Sequence, residues 1–109
     1  MKHIPANRME WIKDFEGIQG VDASVLWPKP NGGVSLLIKM AKGSTIPAHK
    51  HTEYEETYMV SGKVDAGNGV TAVAGDCILM ETNDPHAVTA LEETVFFVSI
   101  ESGFDWVKQ

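Results

Sequence analysis

Cysteine and clustered basic residues are both scarce in this sequence, and each scarcity excludes a class of function. Cys77 is the only cysteine, so the chain has no intrachain disulfide and no Cys-x-x-Cys metal or redox pair. Nine lysines and arginines stand against fifteen acidic residues and never cluster, which leaves a formal net charge of −6. Because nucleic-acid binding usually needs a basic surface, we expect no nucleic-acid partner.

Long apolar stretches are also missing. No segment approaches the roughly 20 apolar residues that span a bilayer, and the amino terminus has no apolar run behind its positive charge. We therefore expect a cytoplasmic protein with no membrane partner, and the single cysteine fits that reducing compartment. The 109 residues allow one hydrophobic core but not two. A single domain over residues 1–109 is predicted.

From residue 31 onward, short apolar runs alternate with glycine-rich and proline-containing turn signals. Residues 34–40 alternate between apolar and other side chains, and residues 94–100 are rich in β-branched and aromatic types. Both patterns are typical of strands with a buried face. An open sheet of such strands would leave its edges and one apolar face exposed, so the sequence predicts an all-β closed barrel or two-sheet sandwich.

The two ends of the chain carry aromatic residues that a small barrel would struggle to bury alone. Residues 1–30 are predicted to form extra strands or a short helix, packed on the barrel or on a dimer partner; within them, residues 7–15 fit either a short helix or an edge strand. We expect the tail to be docked on the barrel or across a dimer interface. A homodimer is predicted from the aromatic load of Trp11, Trp27, Phe104 and Trp106.

Three of the four histidines fall in two short segments that suit a metal ion. His49 and His51 are two residues apart, so on a strand their imidazoles project from the same face. Glu55 shares that parity and Glu56 does not, provided that the strand continues without a bulge. His86 must be brought alongside by the fold. Three nitrogens and one carboxylate oxygen would close a tetrahedral site or leave two open positions of an octahedron.

Other polar and sulfur-containing residues have simpler interpretations. Glu53 and Glu56 are expected to belong to a solvated acidic face, and His3 to be an ordinary surface or core histidine. Cys77 begins an apolar run of four residues, which favours a small core residue over a reactive thiol.

The segment around the first two histidines resembles the first cupin motif, G(x)5HxH(x)3-4E(x)6G, whose fixed positions are all present as Gly43, His49, His51, Glu55 and Gly62. The second motif, G(x)5PxG(x)2H(x)3N, is matched only in part, by Gly75 and His86. The family's Pro, Gly and Asn are replaced by Glu81, Asn83 and Ala90.

The resemblance implies a cupin-type double-stranded β-helix (jelly-roll) barrel. It assigns one divalent metal ion, iron, manganese, nickel or zinc, to His49, His51, Glu55 and His86. It leaves two functions open: a small metalloenzyme, a dioxygenase or isomerase acting on a small oxygenated molecule inside the barrel, or a non-catalytic metal- or ligand-sensing module. Residues 33–56 are similar to the cupin half of ChrR-type anti-sigma factors, whose separate zinc-binding helical domain this sequence lacks, so direct transcriptional control is not expected.

Overall fold

The computed structural model describes residues 1–48, 54–81 and 85–101, and this part of the chain is built mainly of antiparallel strands. Within these ranges, helix is limited to short 3-10 turns at Ala6–Arg8 and Phe15–Gly17. The strands are β1 (Val21–Pro28), β2 (Val34–Met40), β3 (Thr45–Ile46), β4 (Glu55–Ser61), β5 (Lys63–Gly67), β6 (Val70–Val73), β7 (Cys77–Met80), β8 (Val88–Ala90) and β9 (Thr94–Ile100). The predicted all-β architecture is confirmed.

The strands form two sheets that enclose the core. The first has five strands in the order β1-β2-β9-β4-β7, and the second has four in the order β3-β8-β5-β6. Along β9, buried and partly exposed residues alternate strictly, as expected for an antiparallel sheet with one covered face. The core draws on both sheets, and its most deeply buried side chains are Val21, Leu36, Met40, Met59, Val64 and Thr94.

The alternation predicted for residues 34–40 is confirmed from Leu36 to Met40, whereas at the start of the strand Ser35 is buried and Val34 is only partly buried. Leu36, Ile38 and Met40 are buried, whereas Lys39 is exposed. β2 lies between β1 and β9, with Leu36 opposite Val98 and Ile38 opposite Phe96. The inward positions of neighbouring strands therefore form successive levels across the first sheet.

The amino-terminal segment packs along the edge of the first sheet. Ile12 forms a single bridge with Ala23 of β1, through mutual backbone hydrogen bonds of 2.7 and 3.0 Å. Phe15 and Ile18 pack against the core. The Lys39 ammonium lies 4.1 Å from the centre of the Trp11 ring, a cation–π contact. Residues 7–15 thus form neither a regular helix nor a full strand.

Two glycines of the first cupin motif have backbone conformations that other residues rarely adopt. Gly43 has a φ of 87° and Gly62 a φ of 89°, in the left-handed region that favours glycine. At Gly62, in the tight connection between β4 and β5, a Cβ would also overlap the Glu93 carbonyl oxygen and Thr94. These motif positions are therefore explained by turn geometry.

The interpretation of Cys77 as a core residue is wrong. Cys77 is exposed. On β7, the sheet alternation buries Met80 and turns Ile78 inward, so Cys77 and Leu79 lie on the outer face, where Leu79 is 53% exposed. An apolar run of four residues marks a strand but does not say which face is covered.

Some sequence-based predictions concern residues outside the described part of the chain. His49, His51 and Glu53 lie there, as do Phe104 and Trp106 of the tail. Among the described residues, no helix has the length and apolarity needed to cross a membrane.

Candidate metal centre and internal cavity

A cavity of about 50 Å³ lies between the two sheets, several times the roughly 10–15 Å³ that one buried water molecule needs. Its walls are mostly aliphatic and aromatic. Among the described residues that line it, the polar side chains are Glu55, Thr57 and His86. The cavity therefore combines an apolar interior with a small number of polar groups, which is the usual composition of a small-molecule site.

Glu55 is the first residue of β4 and faces this cavity. It pairs with Met80 of β7 on one side and with Ile100 of β9 on the other. Its Oε2 atom is inaccessible to solvent. The next residue, Glu56, is exposed and borders the outer face of the same sheet with Tyr58. Because side chains alternate along β4, the carboxylates of Glu55 and Glu56 lie on opposite faces of the sheet.

The parity predicted for Glu55 relative to the histidines stays a prediction, because His49 and His51 lie outside the described residues. β3 ends at Ile46 in the four-stranded sheet, whereas β4 begins at Glu55 in the five-stranded sheet. The chain crosses from one sheet to the other between these two residues. Glu55 faces the cavity because of the alternation of its own strand.

His86 lines the cavity from the segment that precedes β8, a strand of the four-stranded sheet. It is half-buried and lies two residues before β8, which pairs with β3 so that Ile46 is opposite Val88. β3 leads towards the first motif segment and β8 follows His86, so the two motif segments adjoin paired strands of one sheet. The pairing of β3 with β8 therefore accounts for the proximity of the two motif segments, which the sequence alone did not show.

Gly67 at the end of β5 leaves room for the His86 ring. A Cβ placed on Gly67 would come within 3.3 Å of His86 Nδ1, and the backbone there has a φ of 87°. The Gly67 amide donates a hydrogen bond of 2.9 Å to Asp65 Oδ1. A larger residue would be strained at this backbone conformation and would also crowd the imidazole.

The structure therefore brings two of the four predicted ligands, Glu55 and His86, to one cavity, and His49 and His51 fall outside the described residues. Within the described ranges, no group of three or more His, Cys, Asp or Glu side chains is close enough to hold an ion. The donors that are described suit a first-row divalent metal, since imidazole and carboxylate are among its common ligands.

Three cavity residues were not identified from the sequence. Thr57 lies two residues beyond Glu55, is 8% exposed and faces the same cavity, so the parity of β4 was a usable signal. Phe15 and Ile18 border the cavity from the amino-terminal segment. No local pattern indicated their role, because it depends on how that segment packs against strands far along the chain.

The two-sheet architecture and the cavity at its centre define a cupin fold, and solved structures agree. An RmlC-like cupin from Ralstonia eutropha superposes with a TM-score of 0.83 at 19% identity, covering 94% of this chain and 69% of that one. The predicted jelly-roll barrel is confirmed. More particularly, the chain belongs to the ChrR cupin-like domain family, whose profile matches residues 1–103.

Two further structures show how widely this fold is used. An acetylacetone dioxygenase from Acinetobacter johnsonii has a TM-score of 0.80 at 18% identity, with 92% of this chain and 72% of that chain covered. The anti-sigma factor ChrR, in its complex with SigE from Rhodobacter sphaeroides, has a TM-score of 0.75 at 19% identity, with 89% and 51% covered. At these identities the likeness establishes the fold alone. A comparison with curated proteins gives no match.

Proposed function

We propose that this protein is a small metal-binding cupin in which His49, His51, Glu55 and His86 hold one divalent ion, and that it acts as a metalloenzyme of the oxygenase or isomerase type on a small oxygenated molecule. The observation that carries the proposal is the placement of Glu55 and His86. Glu55 begins a strand of the five-stranded sheet, His86 lies two residues before a strand of the four-stranded sheet, and both line the same mainly apolar cavity.

The residues of the chain itself divide the work of such a site. Glu55 and His86 both offer donors to the cavity, and Gly67 leaves the space in which the imidazole sits. The aliphatic walls exclude water and hold the apolar part of a bound molecule, so that its oxygen-bearing end faces the donors. When bound, a divalent ion would supply Lewis-acid polarisation of that oxygen.

A non-catalytic sensing module is the second candidate, and the family match favours it. The profile covering residues 1–103 is that of the cupin-like domain of ChrR, an anti-sigma factor solved in complex with SigE. In this case the same cavity would bind a metal or a small ligand and pass the signal to a protein partner. The two candidate functions use the same site and differ in whether the protein converts a substrate.

Elemental analysis of protein purified without added metal is the first test, with His86→Ala and His3→Ala as a matched pair. We expect about one ion per chain in the wild-type protein and in His3→Ala, because His3 does not line the cavity, and a clear loss in His86→Ala. Equal metal content in both variants would contradict the proposed site. Oxygen consumption with small diketones, phenols and sugars then separates the functions, since a redox-active metal with turnover favours the enzyme and bound zinc without turnover favours the sensor.

The homodimer predicted from the sequence stays a prediction. Trp11 and Trp27 are each partly exposed in the described chain, so aromatic surface remains for a second copy to cover. Light scattering at micromolar concentration should give twice the mass of one chain. A species with the mass of a single chain would contradict it.

A further inference from the structure

We infer that the cavity selects a short, mainly apolar molecule with a single oxygen-bearing end, and discriminates against polyhydroxylated molecules such as sugars. This inference rests on the proposed function only in that the oxygen-bearing end would meet the ion. The apolar selection comes from the order of side chains along the cavity.

The strand register shows that the polar groups of the first sheet's cavity wall, Glu55 and Thr57, lie towards one end of β4. Glu55 is level with Ile100, and Thr57, the next inward residue of β4, is level with Val98. One step further, Met59 is level with Phe96. From Glu55 to Met59, four residues of strand cover about 13 Å. The wall of the first sheet therefore changes from a carboxylate, through a hydroxyl, to purely apolar side chains.

On the side of the four-stranded sheet, one polar group precedes a run of apolar side chains. His86 contributes its imidazole to the cavity, whereas Val88, Ile46 and Val64 contribute only hydrocarbon. A ligand hydroxyl placed among these side chains would lose its hydrogen bonds to water and gain none from the described wall, which is unfavourable. Each methylene group of the ligand that is buried in the same place should instead raise the ligand's affinity roughly fourfold.

The amino-terminal segment limits how long the apolar part can be. β1 begins at Val21, opposite Met40, at the far end of β2 from the level of Glu55. Phe15 and Ile18, which immediately precede β1, border the cavity and pack against the core. They close the apolar end. With a volume of about 50 Å³, the cavity suits a ligand with a chain of only a few carbons.

Straight-chain aliphatic hydroxamates, from acetohydroxamate to octanohydroxamate, are suitable probes for metal-loaded protein in calorimetric titrations. We expect affinity to rise by roughly fourfold for each added methylene over the first few members and then to stop rising or fall where the chain meets Phe15 and Ile18. Gluconohydroxamate, which has the six carbons of hexanohydroxamate but carries hydroxyls, should bind at least about tenfold more weakly than hexanohydroxamate, because its hydroxyls would be buried without partners. Equal binding of these two, or no dependence on chain length, would overturn the inference.

A pair of variants on β7 locates the effect. Ile78→Phe adds volume inside the cavity, whereas Leu79→Phe makes a similar change on the outer face of the same strand. We expect hexanohydroxamate to bind at least about tenfold more weakly to the first variant, because the added ring occupies ligand space, and normally to the second. Equal affinities would place the ligand outside the cavity and overturn the inference.

A second pair covers the case in which Ile78→Phe does not fold. Val98→Thr introduces a second hydroxyl on the cavity wall, at the level of Thr57, and Val95→Thr introduces it on the other face of β9. Only the first should weaken binding of the longer chains. Metal analysis of the same samples keeps the two proposals separate. Protein without an ion contradicts the proposed function, and the chain-length series repeated with alkan-1-ols, which need no ion, still decides the inference.

Discussion

The two faces of β4 present different chemistry over the same seven residues. On the inner face, the side chains change along the strand from the carboxylate of Glu55 at the cavity, through Thr57, to Met59, which has no exposed surface. On the outer face, Tyr58 is 48% exposed and Val60 is 50% exposed. Apolar and acidic residues occur on both faces, so composition does not distinguish them.

The difference between the faces lies in what covers them. The second sheet lies over the inner face, and there each side chain has a fixed environment. In the described chain nothing covers the outer face to the same extent, so its residues keep much of their contact with water. A substitution on the inner face should therefore change stability or binding, and the neighbouring substitution on the outer face should change little.

The largest contrast is expected for stability, between Met59→Ala and Val60→Ala. Met59 is fully buried, so its truncation leaves a cavity and should lower the free energy of unfolding by about 2–5 kcal/mol. Val60 is half exposed, and its truncation should cost under about 0.5 kcal/mol. Chemical denaturation of the two variants measures both values. Similar losses would show that β4 does not have the inner and outer faces described here.

Removal of the ion should give the next largest effect. A ligand that binds only the folded state stabilises it by about 2.7 kcal/mol at a hundredfold excess over its dissociation constant. A chelator should therefore lower the melting temperature of the wild-type protein, because the proposed ligands lie on separate parts of the chain. An unchanged melting temperature after analysis has confirmed loss of the ion would mean that the barrel folds without it, and the site would then be catalytic and not structural.

The two adjacent glutamates provide the sharpest test of the comparison for the proposed site. Glu55→Gln removes a charged donor from the cavity and should weaken metal binding by about 10- to 100-fold, at least as much as the loss of a residue that only supports a ligand. Glu56→Gln makes the same chemical change on the outer face and should leave the affinity unchanged. Competition with a chelating dye measures both. A weaker site in Glu56→Gln, with Glu55→Gln unaffected, would reverse the assignment.

The smallest effect is expected for Cys77. Because the thiol lies on the outer face, Cys77→Ser should change the free energy of unfolding by less than about 0.5 kcal/mol. In the wild-type protein, a thiol reagent should modify about one group per chain without denaturant. If the thiol reacted only after unfolding, Cys77 would have to be buried in the folded protein, which would contradict the orientation of β7.

Much of the candidate site was predictable because its spacing is local. The motif interval selected Glu55 over Glu56 and singled out His86, and the structure places Glu55 and His86 on the same cavity. The metal assignment itself stays a prediction. The parity shared with the histidines stays a prediction, because they lie outside the described residues, and the chain changes sheets between Ile46 and Glu55. A parity count holds only within one strand, and a sequence does not show where a chain leaves one sheet for another.

The sequence by itself determined that the chain is all-β and which glycines form its turns, because alternation and backbone freedom are properties of a few neighbouring residues. Only the tertiary structure decided that Cys77 faces outward, that Phe15 and Ile18 close the cavity, and that Gly67 makes room for His86. Each strand has two faces, and which one is buried depends on a partner distant in sequence. That choice is made by packing between sheets, and no local pattern contains it.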